Sequence, residues 1–316
     1  MAKYPLTYND FVSFFSSDED CYAFLSKVRW ADGFICPHCK NQTHWYGGKG
    51  IYECYKCKKR CSVTAGTLFQ DHKKPLLLWF RAMWHITENK YGTNALSLKN
   101  ALGLGSYNTA WTWLHKFRSA MVRPNRDKLS GLVEVDEIFI GGPKSGKRGR
   151  GAEGKELVLV MAEKDEKHIG RIRLRHITNA TSDTLNATIC ESINSGACLC
   201  TDGWSGYSTS QLAEKLYIHQ VVRKDACVGD NLLPFANIVA SLLKRWLLGT
   251  LQGGIQPTHL GYYLDEFTFR FNRRTSKSRG LLFYRLVEQA LIVEPKVEKS
   301  FRNGKLALGE KSTYSG

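Results

Sequence analysis

Two Cys-x-x-Cys knuckles, Cys36-Pro-His-Cys39 and Cys54-Tyr-Lys-Cys57, lie close together near the start of this chain, with residues 40–53 between them. The surrounding stretch is rich in Cys, Gly, Lys and aromatic residues and is too short to bury a core of its own. Something other than packing must hold it together. Each knuckle turns two thiolates toward one point, and two knuckles complete a four-sulfur tetrahedron around zinc. Four protein ligands leave no position for water, so such an ion is structural rather than catalytic. Cys61 and His38 stand nearby as substitute ligands, but neither belongs to a paired knuckle. Five further cysteines, Cys21, Cys190, Cys198, Cys200 and Cys227, sit among apolar neighbours and read as small buried side chains.

The start of the chain, Met1 to Phe11, carries no basic-then-apolar leader, and no apolar run reaches the 18 or so residues of a membrane span. A cytoplasmic, reducing address and no membrane partner are expected, which favours metal over disulfides for the clustered thiols. Lys and Arg outnumber Asp and Glu by 45 to 29, a formal charge of +16 with a pI near 9.4. That balance nominates a polyanionic partner; a merely basic soluble protein is the plain alternative.

Along the 316 residues the pattern changes twice. Residues 10–28 predict two short helices, the second capped by Ser17 with acids in its first turn. A helix follows over Pro75–Asn89, with an apolar stripe on Leu76, Phe80, Met83 and Trp84. A shorter helix over Asn94–Leu102, a turn at Gly103-Leu-Gly105 and a third helix from Ser106 to about Met121 make a helix-turn-helix signature. Asn108, Thr112 and Lys116 are then expected on the DNA-facing side of the third helix. After a linker at 124–131 come strands at 132–142, 156–165, 170–178 and 198–203, with a helix over Ser182–Ser195 before the last. Helices return over Ile238–Leu248 and His259–Arg273. The expected layout is therefore multidomain α/β: a helical lead-in (1–29), a zinc ribbon (30–67), a helix-turn-helix region (68–125), a mixed sheet flanked by helices (126–300), and a polar, disordered tail (301–316).

Two short motifs are set aside. Gly141-Gly-Pro-Lys-Ser-Gly146-Lys147 begins like a phosphate-binding P-loop, but Arg148 stands where Ser or Thr should hold magnesium, and no apolar helix follows. A basic loop touching DNA phosphates through Lys144, Lys147, Arg148 and Arg150 is the better reading, matched by a second group at Arg270, Arg273, Arg274 and Lys277. For each of these residues a solvated basic face is the alternative. His115-Lys-Phe-Arg118 has a recombinase-like spacing but lies on the third helix of the helix-turn-helix region.

Asp136 sits mid-strand in LVEVDEIFI, where alternation places Glu134 and Asp136 on one face and Val133, Val135 and Glu137 on the other. A carboxylate there is costly unless paired or bound to a cation. Asp202 ends a second apolar strand at Thr-Asp-Gly; two aspartates on neighbouring strands suit hard, oxygen-seeking magnesium. Taken singly, each aspartate also reads as a turn or cap residue.

The blocks VDEIFIGG, CTDGWSGY, LLKRWLLGT and YLDEFTFRFNRR, with the leader RWADGFICPHC and the segment GLGSYNTAWTWLHKFR, resemble bacterial insertion-sequence transposases with an N-terminal zinc ribbon, over about residues 9–290. The resemblance implies an RNase H-like catalytic fold, akin to that of retroviral integrases, and cleavage and strand transfer of double-stranded DNA with Mg2+ or Mn2+. It also implies action as a homo-oligomer, a dimer, on DNA. Asp136 and Asp202 match the first two catalytic acids, Asn237 stands where glutamate is commoner, and Lys244 matches the associated lysine. Seven residues are about two helical turns, so Asn237 and Lys244 share a face. A DNA-binding regulator with an inert catalytic domain and a simple nuclease of the same fold are the alternatives.

Overall fold

A computed structural model describes residues 2–123, 125–141, 155–223, 232–252 and 254–302. In chain order its elements are α1 (Tyr8–Phe14), α2 (Asp18–Arg29), β1 (His44–Tyr46), β2 (Ile51–Cys54), β3 (Arg60–Ser62), α3 (Leu76–Glu88), α4 (Ala95–Leu102) and α5 (Tyr107–Ala120). They continue with β4 (Leu132–Ile140), β5 (Glu156–Asp165), β6 (His168–Ile177), α6 (Ser182–Ser192), β7 (Cys198–Thr201), α7 (Thr209–Glu214) and β8 (Ile218–Val221). The last are α8 (Pro234–Leu251), α9 (Leu260–Phe271), α10 (Arg279–Ala290) and α11 (Glu298–Arg302). Contacts divide the chain into two units: one runs up to the linker at 124 and resumes from Thr275, the other spans Asn125–Arg274.

In the first unit, local chemistry sets the helix starts. Thr7 with Asp10 and Ser17 with Asp20 form reciprocal capping boxes at α1 and α2. Asn94 caps α4 through the Ser97 amide, Gly103 ends that helix in the left-handed region at φ 61°, and Ser106 caps α5. The core is aromatic. Phe283 of α10 packs against Phe11, Phe15, Phe80 and Trp84 at centroid distances of 5.5, 5.8, 5.6 and 5.6 Å. Gly280 makes the fit possible, because a Cβ there would lie 1.6 Å from the Pro5 carbonyl oxygen. Helix α10 thus belongs with the N-terminal helices rather than with the 126–300 segment in which the sequence pattern set it. Periodicity marks a helix as amphipathic but does not say which apolar surface it will cover.

The second unit is a five-stranded sheet in the order β6-β5-β4-β7-β8. β6, β5 and β4 are antiparallel neighbours, while β7 and β8 add in parallel. That order and sense are those of the RNase H-like mixed sheet. β5 is buried on both faces, and its alternation splits the core. Val158, Val160 and Ala162 meet Val239, Leu243 and Trp246 of α8 and Phe267 of α9; Leu157, Leu159 and Met161 meet Leu185 and Ile189 of α6 and Leu212 of α7. No helix among the described residues is long and apolar enough to cross a membrane. The tail at 303–316, expected to be disordered, lies outside the described residues.

Candidate functional site

The zinc ribbon is a three-stranded antiparallel sheet, β1-β2-β3, whose loops carry the knuckles. The knuckles are built alike. In each, the amide of the residue after the second cysteine closes back on the first: Lys40 N to Cys36 O and Lys58 N to Cys54 O, both 2.9 Å. Lys40 and Lys58 accordingly adopt left-handed backbone, at φ 59° and 56°. Cys36, Cys39, Cys54 and Cys57 bring their sulfurs within 4.8 Å of one another, the one grouping of three or more Cys, His, Asp or Glu among the described residues that could hold a metal. The closest pairs, Cys36–Cys57 at 3.7 Å and Cys39–Cys54 at 3.5 Å, are too long for a disulfide. They match the roughly 3.8 Å edge of a tetrahedron with metal–sulfur bonds of about 2.3 Å. The Cys57 backbone amide, with help from that of Lys56, pushes the Cys54 thiol down to about 6, toward the thiolate that zinc requires. Cys61 is buried beside this set without joining it, and His38 is exposed. Cys21 and Cys200 are buried as expected, whereas Cys190 and Cys198 are only half-buried; Cys227 lies outside the described residues.

In the second unit the strands that lead to the two aspartates lie side by side. Glu134 of β4 stands opposite Cys200 of β7 in the parallel pair, with Asp136 two residues farther along β4 and Asp202 just past the end of β7. Cys200 packs on the α8 side with Ile138 and Ile140, so Glu134 and Asp136 belong to the α8 face. Glu134, which the sequence reading placed on this face without a role, ties α8 to it. Its Oε2 accepts the amides of Phe235 at 2.7 Å and Ala236 at 2.9 Å. These are first-turn amides with no helical acceptor, and a carboxylate also suits the positive end of the helix. Asn237 is the next residue of that turn, its side chain exposed, and Lys244 is exposed farther along α8.

A second arrangement escaped the sequence reading, although its residues lie inside the blocks VDEIFIGG and CTDGWSGY. The buried Tyr207 hydroxyl donates to Glu137 at 2.6 Å across the α6 face. Burial, then the negative charges of Glu137, Asp136 and Asp202, raise the Tyr207 pKa well above its usual value. Both aspartates are thus within electrostatic reach of one hydroxyl. The turn after Asp202 is tight: Trp204 N donates to Asp202 Oδ1 at 3.1 Å, and a Cβ on Gly206 would lie 2.8 Å from the Ala180 oxygen.

The expected DNA-contact residues fare unevenly. Asn108 is exposed near the start of α5. Thr112 is buried at 7% exposure, and the half-buried Lys116 lies over the Trp79 ring at 5.5 Å. Burial withdraws Thr112 from DNA contact. Choosing an exposed face from spacing alone fails here because α5 is buried on most of its circumference, polar residues included. Arg270 is likewise buried, paired with Glu266 at 2.9 Å. Arg273 stacks on Phe269 and Arg274 on Phe271, at 4.0 and 4.1 Å; Arg274 also donates to the Gly170 carbonyl. Lys277 is exposed. Lys144, Lys147, Arg148 and Arg150 lie outside the described residues.

Residues 128–272 match the ISXO2-like transposase domain, and residues 16–60 match the transposase zinc-ribbon domain. Both matches are to parts of transposases, one within the second unit and the other over the ribbon. The chain is 27% identical over 280 residues to a protein described as "uncharacterized protein in transposable element ISH50" of Halobacterium salinarum, covering 81% of this chain and 91% of that protein. A chain of the simian T-cell lymphotropic virus intasome complex aligns at 12% identity with a TM-score of 0.32, over 64% of this chain and 74% of that one.

Proposed function

We propose that this chain binds the terminal repeats of an insertion sequence, cleaves the element's ends and transfers the resulting 3′-hydroxyls into target DNA, using Mg2+ or Mn2+. The observation that supports the reading is the parallel β4–β7 pair, with Asp136 on β4, Asp202 just past β7, and Glu134 anchoring the first turn of α8. Two carboxylates and an amide oxygen are hard oxygen donors, the set that small divalent cations select. Bound there, such ions supply activation of the attacking oxygen and charge stabilisation of the leaving one. Asp136 and Asp202 hold the charge, Asn237 adds a neutral oxygen that positions without charge, and Lys244 meets a phosphate from the same helical face. The zinc ribbon and helix-turn-helix, with Asn108 at the start of α5, hold the duplex; Arg273 and Arg274 contact phosphates, and a homodimer brings two ends together.

Strand transfer with the element's own ends tests this. Asn237→Asp keeps the ligand oxygen and should retain metal-dependent cleavage. Asn237→Leu should lose about 10²–10³-fold, the cost of removing one electrostatic contact at a reaction centre, while still binding DNA. Normal cleavage by Asn237→Leu would exclude Asn237 and point to another third ligand; Glu266, buried in its pair with Arg270, is a poor substitute, and Asp230 lies outside the described residues. Sequence-specific binding without any metal-dependent nicking would favour an inert regulator, and cutting without joining a simple nuclease.

A further inference from the structure

Between α2 and the zinc-ribbon sheet lies a pocket of about 330 Å³, walled by Trp30, Phe34, His44, Tyr46 and Tyr52 and edged by Glu19 and Lys27. The rings are pre-arranged. Phe34 and Tyr52 stack at 5.3 Å and 8°, and Trp30 stands edge-on to both at 5.0 and 4.7 Å. Glu19 is held at the rim, accepting from the Tyr46 hydroxyl and from Lys49 N. A carboxylate has about four acceptor sites, so two such bonds leave capacity for donors of a ligand.

We infer that this pocket binds an unpaired nucleobase of single-stranded DNA, with the base's amino group donating to Glu19. The inference rests on the reading that the chain acts on DNA. Three observations choose this occupant. The pocket is the size of a small-molecule site, and its lining is mostly aromatic, the side-chain class on which bases stack. Residues 26–62 carry eight Lys or Arg against two Asp or Glu, which suits a phosphate backbone and disfavours a basic peptide. Trp45 and Tyr55 add two exposed rings on the same ribbon. A base inside a duplex has both faces covered, so only an unstacked one can enter. Glu19 also makes the pocket selective: cytosine presents an amino donor, whereas the single N–H of thymine is flanked by carbonyl oxygens that repel a carboxylate.

The test uses the full zinc-loaded chain and fluorescence anisotropy with three probes: twelve-residue oligo-dC, oligo-dT of the same length, and a blunt duplex. Oligo-dC should bind more tightly than oligo-dT. Ala23 is exposed on α2 and lines the pocket, so Ala23→Trp fills it from outside the core. That variant should lose about tenfold or more in oligo-dC affinity, with duplex binding, zinc content and melting temperature unchanged. Ala23→Leu, a smaller plug, should lose less in the same direction, and Glu19→Gln should erase the preference for dC over dT. Unchanged oligo-dC affinity in a folded, zinc-loaded Ala23→Trp protein overturns the inference, as does an absence of single-strand binding in the wild type. Duplex-end binding and metal-dependent strand transfer report on the proposed function separately, so the two can fail independently.

Discussion

Removing the Glu134 carboxylate should loosen the end of α8 that carries Asn237. Its Oε2 receives two first-turn amides at 2.7 and 2.9 Å from a side chain that is 6% exposed. A hydrogen bond to a charged group contributes about 1.5–3 kcal/mol, and a buried amide left without an acceptor costs a similar amount. The favourable placement at the helix N-terminus adds about 0.3–1 kcal/mol. Against this stands burial of the charge: desolvation raises the Glu134 pKa above its ordinary 4.5 despite the Ala236 and Phe235 amides. The net expectation for Glu134→Ala is a loss of about 2–4 kcal/mol, a large part of a typical domain's 5–15 kcal/mol. In urea, with a mid-range slope of about 2 kcal/mol/M, the midpoint should fall by about 1–2 M. Glu134→Gln keeps an acceptor oxygen and sheds the buried charge, so it should cost under about 1.5 kcal/mol. The pH dependence has a definite sign. A carboxyl whose native pKa is raised keeps its proton longer folded than unfolded, so its contribution to stability falls as the pH rises past 4.5 toward the native pKa. Glu134→Gln should remove that slope. Equal urea midpoints for wild type and Glu134→Ala would refute the account of how α8 is held.

Cys57→Ser should reduce bound zinc from about one ion per chain, measured by metal analysis, and weaken duplex-end binding with it. Glu266→Gln should cost about 3–5 kcal/mol in chemical denaturation by breaking the buried ion pair with Arg270, whereas replacing both by methionine should restore most of it. Tyr207→Phe keeps the ring but strips Glu137 of a 2.6 Å donor; a loss of about 1.5–3 kcal/mol and a raised metal requirement for cleavage are expected, the latter read from metal titration of activity.

Much of this molecule is visible in local sequence. The knuckle cysteines converge because each Cys-x-x-Cys spacing lets two thiolates meet at one point, and Ser17, Asn94 and Ser106 mark helix starts because side-chain oxygens satisfy amides nearby in the chain. The alternation around Asp136 follows from the two-residue period of a strand. Strands β1 to β3, α7 and β8 left no clear trace, being three to six residues long with little periodicity to read. Tertiary structure decided what depends on distant partners. The parallel pairing of β4 with β7 sets Glu134 opposite Cys200, and Glu134 reaches across 101 residues to Phe235. Thr112 is buried by the packing of α5 within its unit, and Phe283 closes an aromatic core begun by Phe11. Short-range rules follow from bonds a residue makes with its own neighbourhood, so sequence determines them. Which apolar face meets which depends on the packing of the whole unit, and only the folded chain specifies that.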